Sequence, residues 1–199
     1  MKIIVATKNE NKIKEISAIF APLGFEVVSQ IEAGLNIDVE ETGDTFEKNA
    51  LLKARAVALI SDDYVLADDS GLCVDALDGR PGVYSARYAG EGASDTHKII
   101  KLLAEMKNET NRKAKFVTAV AFVCPDGKEI ITTGEVCGKI TKEPCGDNGF
   151  GYDPIFYSDE LGKTFAEASS EEKNSVSHRS RALKSLYNQL ETLNNTEEK

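Results

Sequence analysis

Lys2-Ile3-Ile4-Val5-Ala6 runs into Thr7-Lys8-Asn9-Glu10-Asn11-Lys12, and the change of rhythm between the two stretches decides the fold class. The apolar run reads as a strand buried on both faces. Beyond the polar hexad, Ile13, Ile16, Ile19, Phe20 and Leu23 recur at helical spacing, and Pro22-Leu23-Gly24 ends the helix. A second short strand follows at residues 25–29. Strand, helix and strand in that order open a crossover unit rather than a helical bundle or an all-β sandwich.

Working outward, the spacing predicts a helix from about Asp44, with Asp44 and Glu47 placed as a capping box and Phe46, Ala50, Ala54, Val57 and Ala58 as its inner stripe. Strands are expected at residues 64–67 and 72–77. Ser94 caps a helix carrying Ile99, Leu102, Leu103 and Met106. Residues 114–124 alternate as a long strand, Pro125-Asp126-Gly127 turns, and residues 129–136 return. A last helix carries Ala182, Leu183, Leu186, Tyr187, Leu190 and Leu193, with the polar tail after Asn194 expected to fray. Crossover strands plus a hairpin predict an α/β fold with a mixed sheet, and the 199 residues fit one sizeable domain, 1–199, of two lobes.

The net charge of −9 argues against broad binding to nucleic-acid phosphates, but leaves room for a small polyphosphate held by a few local cations. No apolar run is long enough to span a membrane. The opening residues pass directly into a motif rather than a secretory leader, so a cytoplasmic location is expected. Cys73, Cys124, Cys137 and Cys145 lack C-x-x-C spacing and read as reduced structural thiols.

The chemistry-bearing segments each admit two readings. Thr7-x-Asn9-x-x-Lys12 lies where a buried strand hands over to a helix, whose unpaired N–H groups suit a phosphate; it also reads as an ordinary capped helix with a solvated lysine. Asp68-Asp69-Ser70-Gly71 follows Tyr-Val-Leu-Ala, so two carboxylates emerge at the end of an apolar strand. They repel one another unless a cation such as Mg²⁺ is shared, or they form an Asx turn closed by Gly71. Glu40-Glu41-Thr42-Gly43 precedes a helix, where acids are at home for the dipole. Asp62-Asp63 reads as a solvated turn. In Gly149-Phe150-Gly151-Tyr152-Asp153-Pro154, Phe150 or Tyr152 stacks on a base, or the aromatics pack inward. His97 reads as helix surface. His178 beside Arg179 offers adjacent donors for a carbonyl or phosphate, or starts a solvated helix.

Taken in order, these segments resemble the inosine triphosphate pyrophosphatase family along nearly the whole chain. The marks are Thr7-x-Asn9-x-x-Lys12, Glu40-Glu41-Thr42-Gly43, Asn49-Ala50 with Lys53-Ala54-Arg55, Ala67-Asp68-Asp69-Ser70-Gly71-Leu72, Pro81-Gly82-Val83-Tyr84-Ser85-Ala86-Arg87, Gly149-Phe150-Gly151-Tyr152-Asp153-Pro154 and Ser177-His178-Arg179. The resemblance implies an elongated, two-lobed α/β fold, with a mixed, curved central sheet flanked by helices and a cleft between the lobes. It implies a homodimeric, Mg²⁺-dependent hydrolase that converts the triphosphates of inosine, deoxyinosine and xanthosine to the monophosphate and pyrophosphate. By position, Thr7, Lys8, Asn9, Glu10, Asn11 and Lys12 cradle the triphosphate. Glu40 and Asp69 hold Mg²⁺, Asp69 also accepts the proton of the attacking water, and Ser70 touches the nucleotide. Phe150, Gly151, Tyr152, Asp153, Lys173, His178 and Arg179 form the base and sugar pocket. Asn11 stands where the family often has glycine, and asparagine tolerates left-handed geometry.

Three rivals differ in outcome. A related pyrophosphatase for pyrimidine or methylated bases shares the metal chemistry but not Phe-Gly-Tyr-Asp with Ser-His-Arg. A nucleotide-binding protein without activity releases no pyrophosphate, and a phosphomonoesterase releases orthophosphate instead.

Overall fold

The computed structural model describes residues 2–197. Its strands are Lys2–Val5 (β1), Glu26–Ser29 (β2), Tyr64–Val74 (β3), Lys113–Val123 (β4), Glu129–Ile140 (β5), Phe156–Ser158 (β6) and Lys163–Thr164 (β7). They form one open sheet in the order β2-β1-β3-β4-β5-β6-β7. Strand β1 runs parallel to β2 and β3, whereas β6 is antiparallel to both β5 and β7, so the sheet is mixed. The helices are Glu10–Phe20 (α1), Phe46–Ala58 (α2), Asp95–Glu105 (α3), Ser170–Val176 (α4) and His178–Glu197 (α5). The α/β class with a mixed sheet is as the sequence predicts.

The chain forms two compact units: one of residues up to Asp69, Thr118–Gly134 and those from Arg179, the other of Ser70–Val117 and Glu135–His178. In the first unit the strand period of two sorts β1 onto two cores. Ile3 and Val5 pack with Leu66, Val120 and Phe122 against Ile16 and Phe20 of α1 and Ala182, Leu183 and Leu186 of α5. Ile4 and Ala6 pack with Val65, Ala67, Ala119 and Ala121 against Ala50, Ala54 and Val57 of α2. Burying side chains such as Ile16 and Phe20 stabilises the fold by about 1.5–3 kcal/mol each. In the second unit Leu72, Val74, Val136 and Ile140 pack with Ile99, Leu102 and Met106 and with the aromatic group Phe116, Phe156 and Phe165. The Phe116 and Phe156 centroids are 4.6 Å apart in tilted contact.

Four expectations change. The two strands at 64–67 and 72–77 are one strand, β3, with Asp68 and Asp69 in its middle, and residues 75–77 are a 3-10 turn. The acidic pair therefore belongs to a continuous strand rather than to a strand end or a turn, because cationic side chains neutralise it there. Helix α2 is capped one residue later than expected: Thr45 Oγ1 accepts from Lys48 N, while Asp44 pairs with Lys48 Nζ at 2.6 Å. Asn11 is helical, inside α1, and uses no left-handed geometry. The tail after Asn194 is helical through Glu197, and residues 198–199 lie outside those described. Helix α4 was not anticipated, although Ser169 and Glu172 form a reciprocal capping box readable as Ser-x-x-Glu. The cysteines are free thiols. Lys2 pairs with Asp63 at 2.9 Å, in keeping with a structural role for the Asp62-Asp63 turn.

Candidate active site

Pairing of β1 with β3 aligns Val5 with Leu66, and Ala6 N donates to Leu66 O at 2.8 Å. The 7–12 segment therefore leaves the sheet beside Asp68 and Asp69. Thr7 Oγ1 accepts from Asn9 N at 3.2 Å; Asn9 Oδ1 in turn accepts from Asn11 N at 3.0 Å and Lys12 N at 3.2 Å, which caps α1. Thr7 and Asn9 thus shape the turn. Glu10 and Asn11 are exposed in the first turn of α1, and the exposed Lys8 ammonium stands 3.3 Å from Asp38.

Lys12 points inward. Its Nζ stands 3.1 Å from Asp68 Oδ2, which also accepts from Arg179 Nε at 3.1 Å and Nη2 at 2.9 Å. Arg179 Nη1 reaches Glu15 on α1. Burial alone would raise the Asp68 carboxyl, but Lys12, Arg179 and Lys53 outweigh it and hold the group well below the usual carboxylate range. Burial lowers Lys12, with Asp68 opposing, while Arg179 stays charged beside Asp68 and Glu15.

One residue further along β3, Asp69 meets α2. Asn49 Nδ2 donates to Asp69 Oδ2 at 3.1 Å, and Lys53 Nζ lies 3.6 Å from Asp69 Oδ1 and 2.5 Å from Glu41 Oε1. Asn49 Oδ1 accepts from Gly43 N at 2.7 Å, tying the acidic loop to the same helix face. A Cβ on Gly43 would meet that oxygen at 2.6 Å, so only glycine permits the approach. Burial raises the Asp69 carboxyl above its ordinary value, with the Glu41 charge acting in the same direction and Lys53 opposing.

This cluster brings Glu41 beside Asp69, the partner expected of Glu40. Glu40 is exposed, whereas its neighbour Glu41 turns toward Lys53 and shares that ammonium with Asp69. A tight turn in which Thr42 N donates to Glu40 O at 3.1 Å is centred on Glu41. Among the described residues no three His, Cys, Asp or Glu side chains gather into a cage. Two oxygen donors around a cation nevertheless fit Mg²⁺, which characteristically takes one or two carboxylates and completes its shell with water and substrate phosphates. Asn49, Lys53 and Glu41 carried no role in the sequence reading. The four-residue spacing of Asn49 and Lys53, which puts both on one helix face, was the available signal.

The second unit holds the remaining candidates. Asp153 Oδ2 accepts from Phe150 N at 2.9 Å and from Lys173 Nζ at 2.6 Å, in a buried pair. Gly149, at φ +74°, lets that carboxylate lie where any Cβ would strike it. Lys173 Nζ sits 4.7 Å from the centroid of the half-buried Phe150 ring. Gly151 N donates to Asp95 Oδ2 at 2.7 Å. Tyr152 faces the core, its hydroxyl donating to Ser85 O at 2.9 Å. His178 is buried rather than solvated, its ring stacked on Phe116 with centroids 4.8 Å apart. Ser70 is half-buried in β3. His97 is exposed on α3, as expected.

Comparison with known proteins gives one consistent result. The Ham1 family is matched over residues 3–189. A curated relative from Bacillus subtilis, named dITP/XTP pyrophosphatase, is 50% identical over 190 residues, covering 94% of this chain and 96% of its own. A Bacillus licheniformis protein of the same name is 49% identical over 188 residues, covering 93% and 95% respectively. The solved structure of the Staphylococcus aureus Ham1 protein superposes with a TM-score of 0.87 at 46% identity, covering 96% of this chain and 99% of that one.

Proposed function

The chain belongs to the Ham1 family, and on that premise we propose that it hydrolyses non-standard purine nucleoside triphosphates, those of inosine, deoxyinosine and xanthosine, to the monophosphate and pyrophosphate with Mg²⁺. The observation that carries this reading is the buried Asp69 carboxylate on β3, set between Asn49 and the Lys53–Glu41 pair, with Lys12 held at the neighbouring Asp68.

Water attacks the α-phosphorus, and Asp69 takes its proton. The raised Asp69 carboxyl suits that task, since a general base works best when its pKa approaches the working pH. Glu40 and Asp69 would hold Mg²⁺, and Lys53 orients Asp69 together with Glu41, a further carboxylate within reach of the ion. When bound, Mg²⁺ supplies neutralisation of phosphate charge. Lys12 and the start of α1 bind the departing pyrophosphate, a compact cation and a positive helix end suiting an oxyanion. Base recognition falls to Phe150, the backbone around Gly151, Lys173 and His178. His178 and Lys173 donate hydrogen bonds to a 6-oxo oxygen there. Adenine would leave them facing its own N–H groups, at about 1–3 kcal/mol per unpaired buried group. All three donor nitrogens of Arg179 face carboxylates, so it also holds Asp68, and through it Lys12, in place.

The same reading extends to a homodimer serving the cytoplasmic nucleotide pool. No helix among the described residues is long and apolar enough to cross a membrane. Product identification tests the core of it. Inosine, deoxyinosine and xanthosine triphosphates should yield pyrophosphate with Mg²⁺ and none without it, and adenosine and guanosine triphosphates should react far more slowly. Orthophosphate as the product, or binding without turnover, would replace this reading by one of its rivals.

A further inference from the structure

Asp95 lies at the first position of α3, just after its cap Ser94. An acid there has an ordinary purpose, since carboxylates favour helix N-termini. Its two oxygens, however, are divided. Oδ1 pairs with Lys98 Nζ at 2.6 Å on the same helix, whereas Oδ2 leaves the helix and accepts from Gly151 N at 2.7 Å, 56 residues away in sequence. Dipole compensation does not require that second contact.

The recipient matters because of where it sits. Phe150 N is held by Asp153 Oδ2 at 2.9 Å, so two consecutive amides of one tight loop are each tied to a carboxylate, one within the loop and one from α3. Gly151 adopts φ +63°, a conformation other residues avoid, so the loop needs holding rather than being set by backbone preference. Helix α3 is a firm post for the tether, with Ile99 and Leu102 buried in the core of that unit. The carboxylate also stays ionised: burial would raise it, but Lys98 and the Gly151 amide more than compensate.

We propose that Asp95 is a positioning residue for nucleobase recognition, fixing the Phe150-Gly151 peptide from α3 so that the loop presents one geometry to a purine base. The inference rests on the functional reading above for its substrate, and on the Asp95–Gly151 contact for its geometry. The Asp95 side chain is 47% exposed, so its replacement leaves the fold intact.

The test compares Asp95→Ala, Asp95→Asn and Lys98→Ala in the full chain, using deoxyinosine and deoxyadenosine triphosphates. Asp95→Ala should raise KM for the deoxyinosine substrate about fivefold or more with kcat within about twofold, and narrow the preference over deoxyadenosine. Asp95→Asn keeps an acceptor for Gly151 N and should restore most of the KM. Lys98→Ala removes the ion pair but not the tether, and should match the parent. Amide hydrogen exchange supplies a readout independent of turnover: Gly151 should exchange faster in Asp95→Ala alone. An unchanged KM in Asp95→Ala, an equal defect in Lys98→Ala, or no rescue by asparagine would overturn the proposal. A parent enzyme inert toward every purine triphosphate would instead sink the functional reading, and the exchange measurement would still decide whether the tether exists.

Discussion

Asp68 and Arg179, 111 residues apart in sequence, share two hydrogen bonds of 2.9 and 3.1 Å, with both side chains almost wholly buried. The carboxylate holds Lys12 as well, and the guanidinium holds Glu15, so two acids and two bases close a network around the end of β1 and the start of α1. Such a network stabilises little in net terms, because desolvation offsets most of the attraction. Removing one member, however, leaves a charge stranded. Arg179→Met should therefore cost about 3–5 kcal/mol, whereas Asp68→Asn with Arg179→Met together should cost less than the sum of the singles. Urea denaturation of the four proteins checks this. Additive effects would mean that the pair is not coupled.

Glu41 and Asp69 face one ammonium, that of Lys53, which makes Glu41 a second candidate beside Glu40 for the metal site. With Glu41 as the ligand, Glu41→Gln should raise the Mg²⁺ concentration for half-maximal activity about tenfold or more, and Glu40→Gln should shift it by less than about threefold. Activity titrations against Mg²⁺ decide the point, and the reverse order would keep the role with Glu40. Lys53→Met should lower the rate even at saturating Mg²⁺, because it removes the group that orients both carboxylates. Calorimetric titration of Mg²⁺ gives a measure of binding that does not depend on turnover.

Much of the fold was legible because hydrophobic period and turn chemistry agree along the chain. The β1–α1–β2 opening, the hairpin at Gly127 and the Ser94 cap follow from local residues alone. Asp68 and Asp69 misled for a physical reason: local chemistry places adjacent acids in a turn, and only partners far along the chain, Arg179 and Lys53, make a strand tolerable for them. The same limit hid Glu41. Two adjacent glutamates are equivalent in sequence, and which of them meets Lys53 depends on Asn49 and Gly43, which fix how the loop approaches α2. Asp95 was hidden by having a sufficient local explanation at a helix start.

Tyr152 should prove structural. Its ring is in the core and its hydroxyl is spent on Ser85 O, so Tyr152→Phe should cost about 1 kcal/mol of stability and leave base preference unchanged. The alkaline limb of stability gives a second check. Burial, then the charges of Tyr88, Asp95 and Glu105, push the Tyr152 hydroxyl above its ordinary value, and burial with the Glu105 hydrogen bond pushes Tyr88 up to about 12. A group raised on folding contributes stability that is complete below its unfolded pKa and is lost as pH rises through the folded one. Resistance to thermal unfolding should therefore fall above about pH 10, the ordinary tyrosine value, and less so in Tyr152→Phe. An altered preference between inosine and adenosine substrates in this variant would show that Tyr152 reads the base after all.

Lys173 and Asp153 form a buried pair whose carboxylate also holds the Phe150 amide, which couples stability to recognition at one point. Lys173→Met alone strands the Asp153 charge and should cost about 3–5 kcal/mol. Adding Asp153→Asn removes that charge and should recover part of the stability. It should not recover recognition, since the amide side chain is a weaker acceptor for Phe150 N and the cation over the Phe150 ring is gone. Measured on both singles and the double variant, denaturation midpoints should therefore rise from Lys173→Met to the double, while KM for inosine triphosphate stays raised. Recovery of both quantities together would mean that the pair acts on binding only through the fold.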